Sequence, residues 1–112
     1  MAEVKKYQDI ILKVLEDYKG QFKKTSKDIQ ALIVADKENF HYQLMWLGWD
    51  GNRHIFTVIT FLSIINGKIW VQQDSTEAGI ANMLVEEGIP KSDIVLGYFP
   101  SDHRALTEFA AA

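Results

Sequence analysis

Asp74 and Glu77, three residues apart, are the two carboxylates of this chain best spaced to act together. Such a pair can hold a hard divalent cation through oxygen. The same spacing is that of a capping box, where the first side chain accepts from free amides at a helix start and the second reaches back. Capping accounts for both the residue types and their spacing, because the apolar helical stripe Ile80, Met83, Leu84 follows at once. The three histidines are His41, His54 and His103. They show neither the i, i+4 spacing of a helical zinc pair nor a His-Glu-x-x-His sequence. His41 alternates with apolar strand residues, His54 flanks a turn and His103 lies near the C-terminus, so packing describes them better than ligation. Lys19, Lys23, Lys24 and Lys27 form a basic cluster with a single aromatic, Phe22, and no arginine. That is a weak patch for nucleic acid, and lysines near a helix C-terminus also complement its dipole.

The enzyme classes with recognisable sequence patterns are not represented. A restriction-type nuclease needs an acidic residue followed by Glu-x-Lys on a strand, whereas Glu3-Val4-Lys5 lies in a helical stretch with nothing acidic before it. A Gly-x-Ser-x-Gly elbow, a phosphate-cradling glycine loop and a dinucleotide fingerprint are all missing. There is no cysteine, which removes disulfides, thiol nucleophiles, Cys-ligated zinc and iron–sulfur clusters together. The residues therefore offer no catalytic, cofactor-binding or metal-ligating set. Twelve basic against fifteen acidic residues leave a net charge of −3, opposite in sign to what duplex binding by phosphate neutralisation favours. The N-terminus leads straight into an amphipathic segment. The longest apolar stretch, Ile55 to Ile65, is broken by Thr57, Thr60 and Ser63 and falls short of the ~20 residues of a membrane helix. A cytoplasmic protein is expected.

The elements that must carry these side chains are legible in the patterning. Val4, Tyr7, Ile11, Val14 and Tyr18 recur at spacings of three and four, which predicts a helix over about residues 3–20, with Gly20 as its stop. Lys23-Lys24-Thr25-Ser26-Lys27 reads as a loop. Four β-rich runs follow: Ile29 to Ala35, the alternating Phe40 to Leu47, Ile55 to Ile65, and Ile69-Trp70-Val71. Asp50-Gly51 and Asn66-Gly67 supply the positive φ angles of tight hairpins, so the runs should form a four-stranded antiparallel meander. A short second helix ending at Gly88, a stop at Pro90 and a short final strand, Ile94 to Tyr98, complete an α+β fold. With 112 residues, the chain suits one domain, residues 1–112, ending in a tail from about residue 100.

Aromatic side chains are crowded onto this small sheet. Two helices are too few to cover them, and Phe109 has no evident core position in an alanine-rich tail. Trp46, Trp49, Trp70 and Phe109 are therefore the candidate interface residues, and the sheet face or its edge is expected to pack against another subunit. An alternative is a small ligand-binding domain or enzyme, with a pocket built from Trp46, Trp70, His41 and the Asp74–Glu77 turn.

The chain resembles the XisI-like family, named for the fdxN element excision controlling factor. The resemblance is carried by an ordered series: Tyr7 with Ile10-Ile11, His41-Tyr42-Gln43-Leu44, Gly48-Trp49-Asp50, Gly67-Lys68-Ile69-Trp70-Val71-Gln72, Thr76-Glu77, Gly88-Ile89-Pro90-Lys91, Asp93-Ile94-Val95-Leu96-Gly97, Pro100 and Glu108-Phe109-Ala110. It implies a small α+β domain without established catalytic residues, acting as an accessory factor beside a separate recombinase and a second accessory protein. It also implies a His-x-Asp in the third strand and a histidine before the proline that follows the last strand. This chain carries Phe61-Leu62-Ser63 and Phe99 there. Any role those polar residues have in relatives is not expected here.

Overall fold

The computed structural model describes residues 2–21 and 28–112. Helix α1 spans Ala2–Gln21, passing Gly20 by one residue. Its apolar stripe delivers Tyr7, Ile11, Val14 and Leu15 into the core, each buried. Lys5–Asp9 and Lys13–Asp17 pair at i, i+4 on the solvent side, where water and salt screen them. The segment expected as a loop, Lys23 to Lys27, lies outside the described residues.

Strands β1 (Ile29–Asp36), β2 (His41–Asp50), β3 (Arg53–Ile65) and β4 (Lys68–Asp74) form the expected antiparallel meander. Gly51 and Gly67 adopt φ of 62° and 77° in the two hairpin turns. The first turn is held differently. Asp36 accepts from the amides of Glu38 and Asn39 at 3.1 and 3.0 Å, and from the Asn39 side chain at 3.0 Å. The Asn39 bonds, side chain first, hold the Asp36 carboxyl below its usual range.

The final strand departs from the meander. After β4 the chain crosses over through helix α2 (Ile80–Glu86) and returns as β5 (Ile94–Leu96), parallel to β4, with Ile69 opposite Ile94. A helix between two strands carries the chain back to the starting end, which is the geometry of a parallel neighbour. The sheet is thus mixed, in the order β1-β2-β3-β4-β5. β5 is also shorter than expected: Gly97 leaves the strand, and Tyr98 lies beyond it.

The start of α2 corrects the capping-box expectation. The helix begins at Ile80, with Gly79 in the N-cap position, so no side chain caps it from there. Asp74 still serves it from six residues upstream: one carboxylate oxygen accepts from the Thr76 amide and hydroxyl at 2.9 and 2.6 Å, the other from the Ile80 amide at 2.8 Å. Glu77 is exposed and takes no part in capping. At the other end the amide of Gly88 (φ 101°) donates to Val85 and that of Ile89 to Leu84. This double bond pattern is a Schellman motif, and its apolar clasp is Ile89 against Leu84, both buried.

One face of the sheet, carrying Tyr42, Leu44, Leu62, Ile69, Val71, Ile94 and Leu96, packs against α1 and α2 to make the core. Tyr42 also anchors to α1 by donating to Gln8 at 2.6 Å. Tyr7 donates from α1 to Asp93, in the turn before β5. Helix α3 (Ser101–Arg104) and the segment after it dock on the sheet rather than trailing free. The Ala110 amide donates to the Ile94 carbonyl at 2.8 Å, and Phe109 packs against the core. The expected tail is therefore part of the packed structure, because Phe109 finds an apolar seat beyond β5 and beneath Lys91.

Candidate interaction surface

The side chains proposed as an interface do not share one face. Alternation along β2 sends Trp46 toward the helices, where it packs partly against the core opposite Ala31. Trp70 points to the second face, but the Arg104 guanidinium lies over its ring at 5.0 Å. Gly97 runs so close to that ring that a Cβ there would sit 3.0 Å from it. Phe109 belongs to the core margin. Of the four, Trp49 alone is largely free, at 52% exposed. Of the basic patch, Lys19 is an exposed residue in the last turn of α1, and Lys23, Lys24 and Lys27 lie outside the described residues.

What the structure assembles instead is an open apolar surface on the second face of β1–β3. Leu32 and Val34 of β1, Leu47 and Trp49 of β2, and Phe56, Val58 and Phe61 of β3 share it by register, with Met45 on the same face but buried. No described helix covers them, and Val34 and Phe56 are 50% and 67% exposed. At its far end Trp49 sits against His54 at 4.7 Å, and His54 is 6.4 Å from Phe56. Val34 is not among the aromatics that the sequence marks, and Phe56 is not among the four interface candidates. Phe56 lies in the β-rich run Ile55 to Ile65, and only the lengths of the neighbours expose it: β4 pairs with Thr60–Ile65, leaving Arg53–Val58 paired to β2 alone.

The same register explains how the surface sits on β1 and β2. Gly48 has φ +153°, and a Cβ there would stand 1.9 Å from the Asp28 carbonyl oxygen. That oxygen accepts from the Trp49 amide at 3.1 Å. A close backbone crossing, possible only at glycine, therefore fixes the start of β1 against the strand that carries Trp49.

At the other end of this face, His41 Nδ1 and Ser63 Oγ are 2.8 Å apart. A histidine beside a serine hydroxyl is the start of a nucleophile–base pair. Ser63, however, is 1% exposed, so its hydroxyl is sealed inside the sheet and the pair links β2 to β3. Phe61, where the resemblance implies histidine, lies 5.9 Å from the His41 ring. Phe99 likewise stacks with Tyr98 at 4.6 Å. The hollow between His41, Asp36, Val34, Gln43 and Phe61 holds about 130 Å³, small beside the ~300 Å³ at which ligand pockets begin. The alternative pocket is not assembled: Trp46 faces the helices, His41 and Trp70 face away, and both Asp74 oxygens are occupied. Among the described residues, no group of His, Asp and Glu is arranged to hold a metal ion. No described helix is long and apolar enough to cross a membrane.

Comparison with known proteins agrees with this architecture. A family profile described as XisI protein matches residues 1–111. The crystal structure of a XisI-like protein from Anabaena variabilis superposes with a TM-score of 0.90 at 35% identity, covering 97% of this chain and 99% of that one. The structure of the fdxN element excision controlling factor XisI from the same organism gives a TM-score of 0.84 at 32% identity, covering 98% and 99%. No curated protein matches. On the full-length profile and on these two structures, the chain belongs to the XisI family.

Proposed function

We propose that this chain is a non-catalytic accessory factor that acts through protein–protein contacts in programmed excision of a DNA element or a related nucleic-acid process. The reading is supported by the similarity to the structure named as fdxN element excision controlling factor XisI. The observation that carries the reading is the open apolar face with Trp49, Phe56 and Val34 exposed on it. Large aromatics left uncovered on a small sheet are the material of interface cores. In this reading the protein works in the cytoplasm, self-associates, and docks a recombinase or a second excision accessory protein on that face. The net charge of −3 makes protein contact, rather than a direct grip on duplex DNA, its route to the element.

The test is an excision reporter carrying the recombinase and the second accessory protein, with and without this chain. The chain should change excision frequency, and a Trp49→Ser, Phe56→Ser variant should lose that effect while keeping its circular dichroism and urea midpoint. Excision that ignores the chain, or a double variant as effective as the parent, overturns the proposal.

A further inference from the structure

The two edges of the sheet are finished differently. At one edge β5 is three residues long and wholly buried, and Ala110 returns to bridge Val95 and close it. At the other edge β1 is eight residues long. Among the described residues, its backbone bonds to β2 and to nothing else. Open edges in proteins are blunted with lysine, proline, a bulge or a very short strand, because unpaired amides and carbonyls otherwise template aggregation. Ile29 to Ala35 has no charge and no proline, and its register against β2 runs from Ile29–Gly48 to Asp36–His41 without a shift. Apart from Gln30 the run is apolar, and its Val34 side chain is half in solvent. Such a strand fits a partner strand better than it fits water.

We propose that β1 pairs antiparallel with β1 of a second copy across a two-fold axis at Ile33, so that the two sheets continue as one. This rests on the reading that the protein works through protein contacts, and it names one of those contacts. The choice of a second copy follows from self-complementarity: an antiparallel strand pair about a two-fold axis matches each residue with a residue of the same chain. An axis normal to the sheet keeps both α1 helices on one side and sets residues of the same face opposite one another. An axis at Leu32 would place Asp28 directly against Asp36 at both ends, and like charges opposed across a ladder destabilise it. An axis at Ile33 sets Leu32 against Val34, Ala31 against Ala35, Ile33 against itself and Gln30 against Asp36. Apolar side chains then meet apolar ones and an amide meets a carboxylate. The ladder ends there, because the chain turns away at residues 37–40. The pairing also joins the two open apolar faces into one docking surface through Leu32 and Val34.

Light scattering coupled to gel filtration, on the intact chain over a hundredfold concentration range, should give the mass of a dimer. Val34→Lys, at a half-exposed position outside the core, should weaken the dimer at least tenfold while preserving the fold by circular dichroism. Phe56→Lys, on the open face but off the edge, should leave the dimer intact. Hydrogen exchange should show alternate amides of Ile29–Asp36 protected in the parent and released in Val34→Lys. A monomer at every concentration overturns self-association altogether. A dimer that survives Val34→Lys but not Phe56→Lys overturns the edge in favour of the face, and leaves the accessory-factor reading standing. A monomer whose β1 amides become protected only when recombinase is added overturns the second copy in favour of a heterologous strand.

Discussion

The β4–β5 side of the sheet and the β1–β2–β3 hairpin side are built from the same kinds of residue but are finished by opposite means. On the first, both faces and the edge are covered: α2 on one face, Arg104 over Trp70 on the other, and Ala110 along β5. On the second, α1 covers one face, while among the described residues the other face and the β1 edge stay open. β-Branched and aromatic residues fill both sides, so composition does not tell them apart. The difference lies in how far each strand runs past its neighbours and where the chain returns. Stability is concentrated where the chain folds back on itself, and large apolar side chains are left available where it does not.

The largest expected effect tests the covered side. Ile94 is fully buried between β4 and the helices; Ile94→Ala should cost about 4 kcal/mol in urea unfolding, from lost transfer energy plus the cavity left behind. A loss below ~1 kcal/mol would mean that this side is less tightly closed than its burial implies. Next comes Gly48, where the open side is anchored. A methyl group 1.9 Å from a backbone oxygen cannot be accommodated without moving β1, so Gly48→Ala should cost about 3 kcal/mol. Its exchange pattern should show β1 loosened and β5 unchanged; uniform loosening would break the comparison.

Asp74 gives a smaller and more diagnostic effect. Because its two oxygens serve different donors, Thr76 and Ile80, a serine at this position cannot replace it as it would replace an ordinary cap. Asp74→Ser and Asp74→Ala should each cost about 1–2 kcal/mol. A serine variant as stable as the parent would show that the Ile80 bond contributes little.

Alkaline titration adds a pH test of the contacts that α1 makes. Burial, then the bond to Asp93, pushes the Tyr7 hydroxyl up to about 12, and burial does the same for Tyr42. A free tyrosine ionises near pH ~10. The folded values are the higher ones, so this stabilisation is complete below that pH and is lost as the pH rises toward 12. Tyr7→Phe should shallow the fall in unfolding free energy between those limits. An unchanged slope would place the proton linkage elsewhere. The smallest effect belongs to the open face: Phe56→Ala in the monomer should change stability by no more than about 0.5 kcal/mol. A large loss there would mean that Phe56 is covered in solution by something that stabilises the fold.

Much of this was legible in the chain, and for identifiable reasons. The α1 stripe from Val4 to Tyr18, the turns at Gly51 and Gly67 and the Gly88 stop are local: each follows from side-chain periodicity or from a φ angle that glycine adopts freely. Asp74 was legible as a cap, but its partner was not. A carboxylate that reaches six residues ahead depends on the path of the intervening turn, and only folding sets that path.

The sequence by itself determined the element types, the antiparallel hairpins and, through an ordered series of motifs, the family. Periodicity and turn chemistry act over a few residues and survive being read one window at a time. Tertiary structure alone decided that β5 runs parallel, that Phe109 and Trp70 are covered and Phe56 is not, and that β1, paired to β2 on one side, has no second strand partner among the described residues. Those outcomes depend on which segments meet across long stretches of chain. Exposure belongs to the neighbours a side chain finds, and the residue types of Trp49 and Trp70 do not differ.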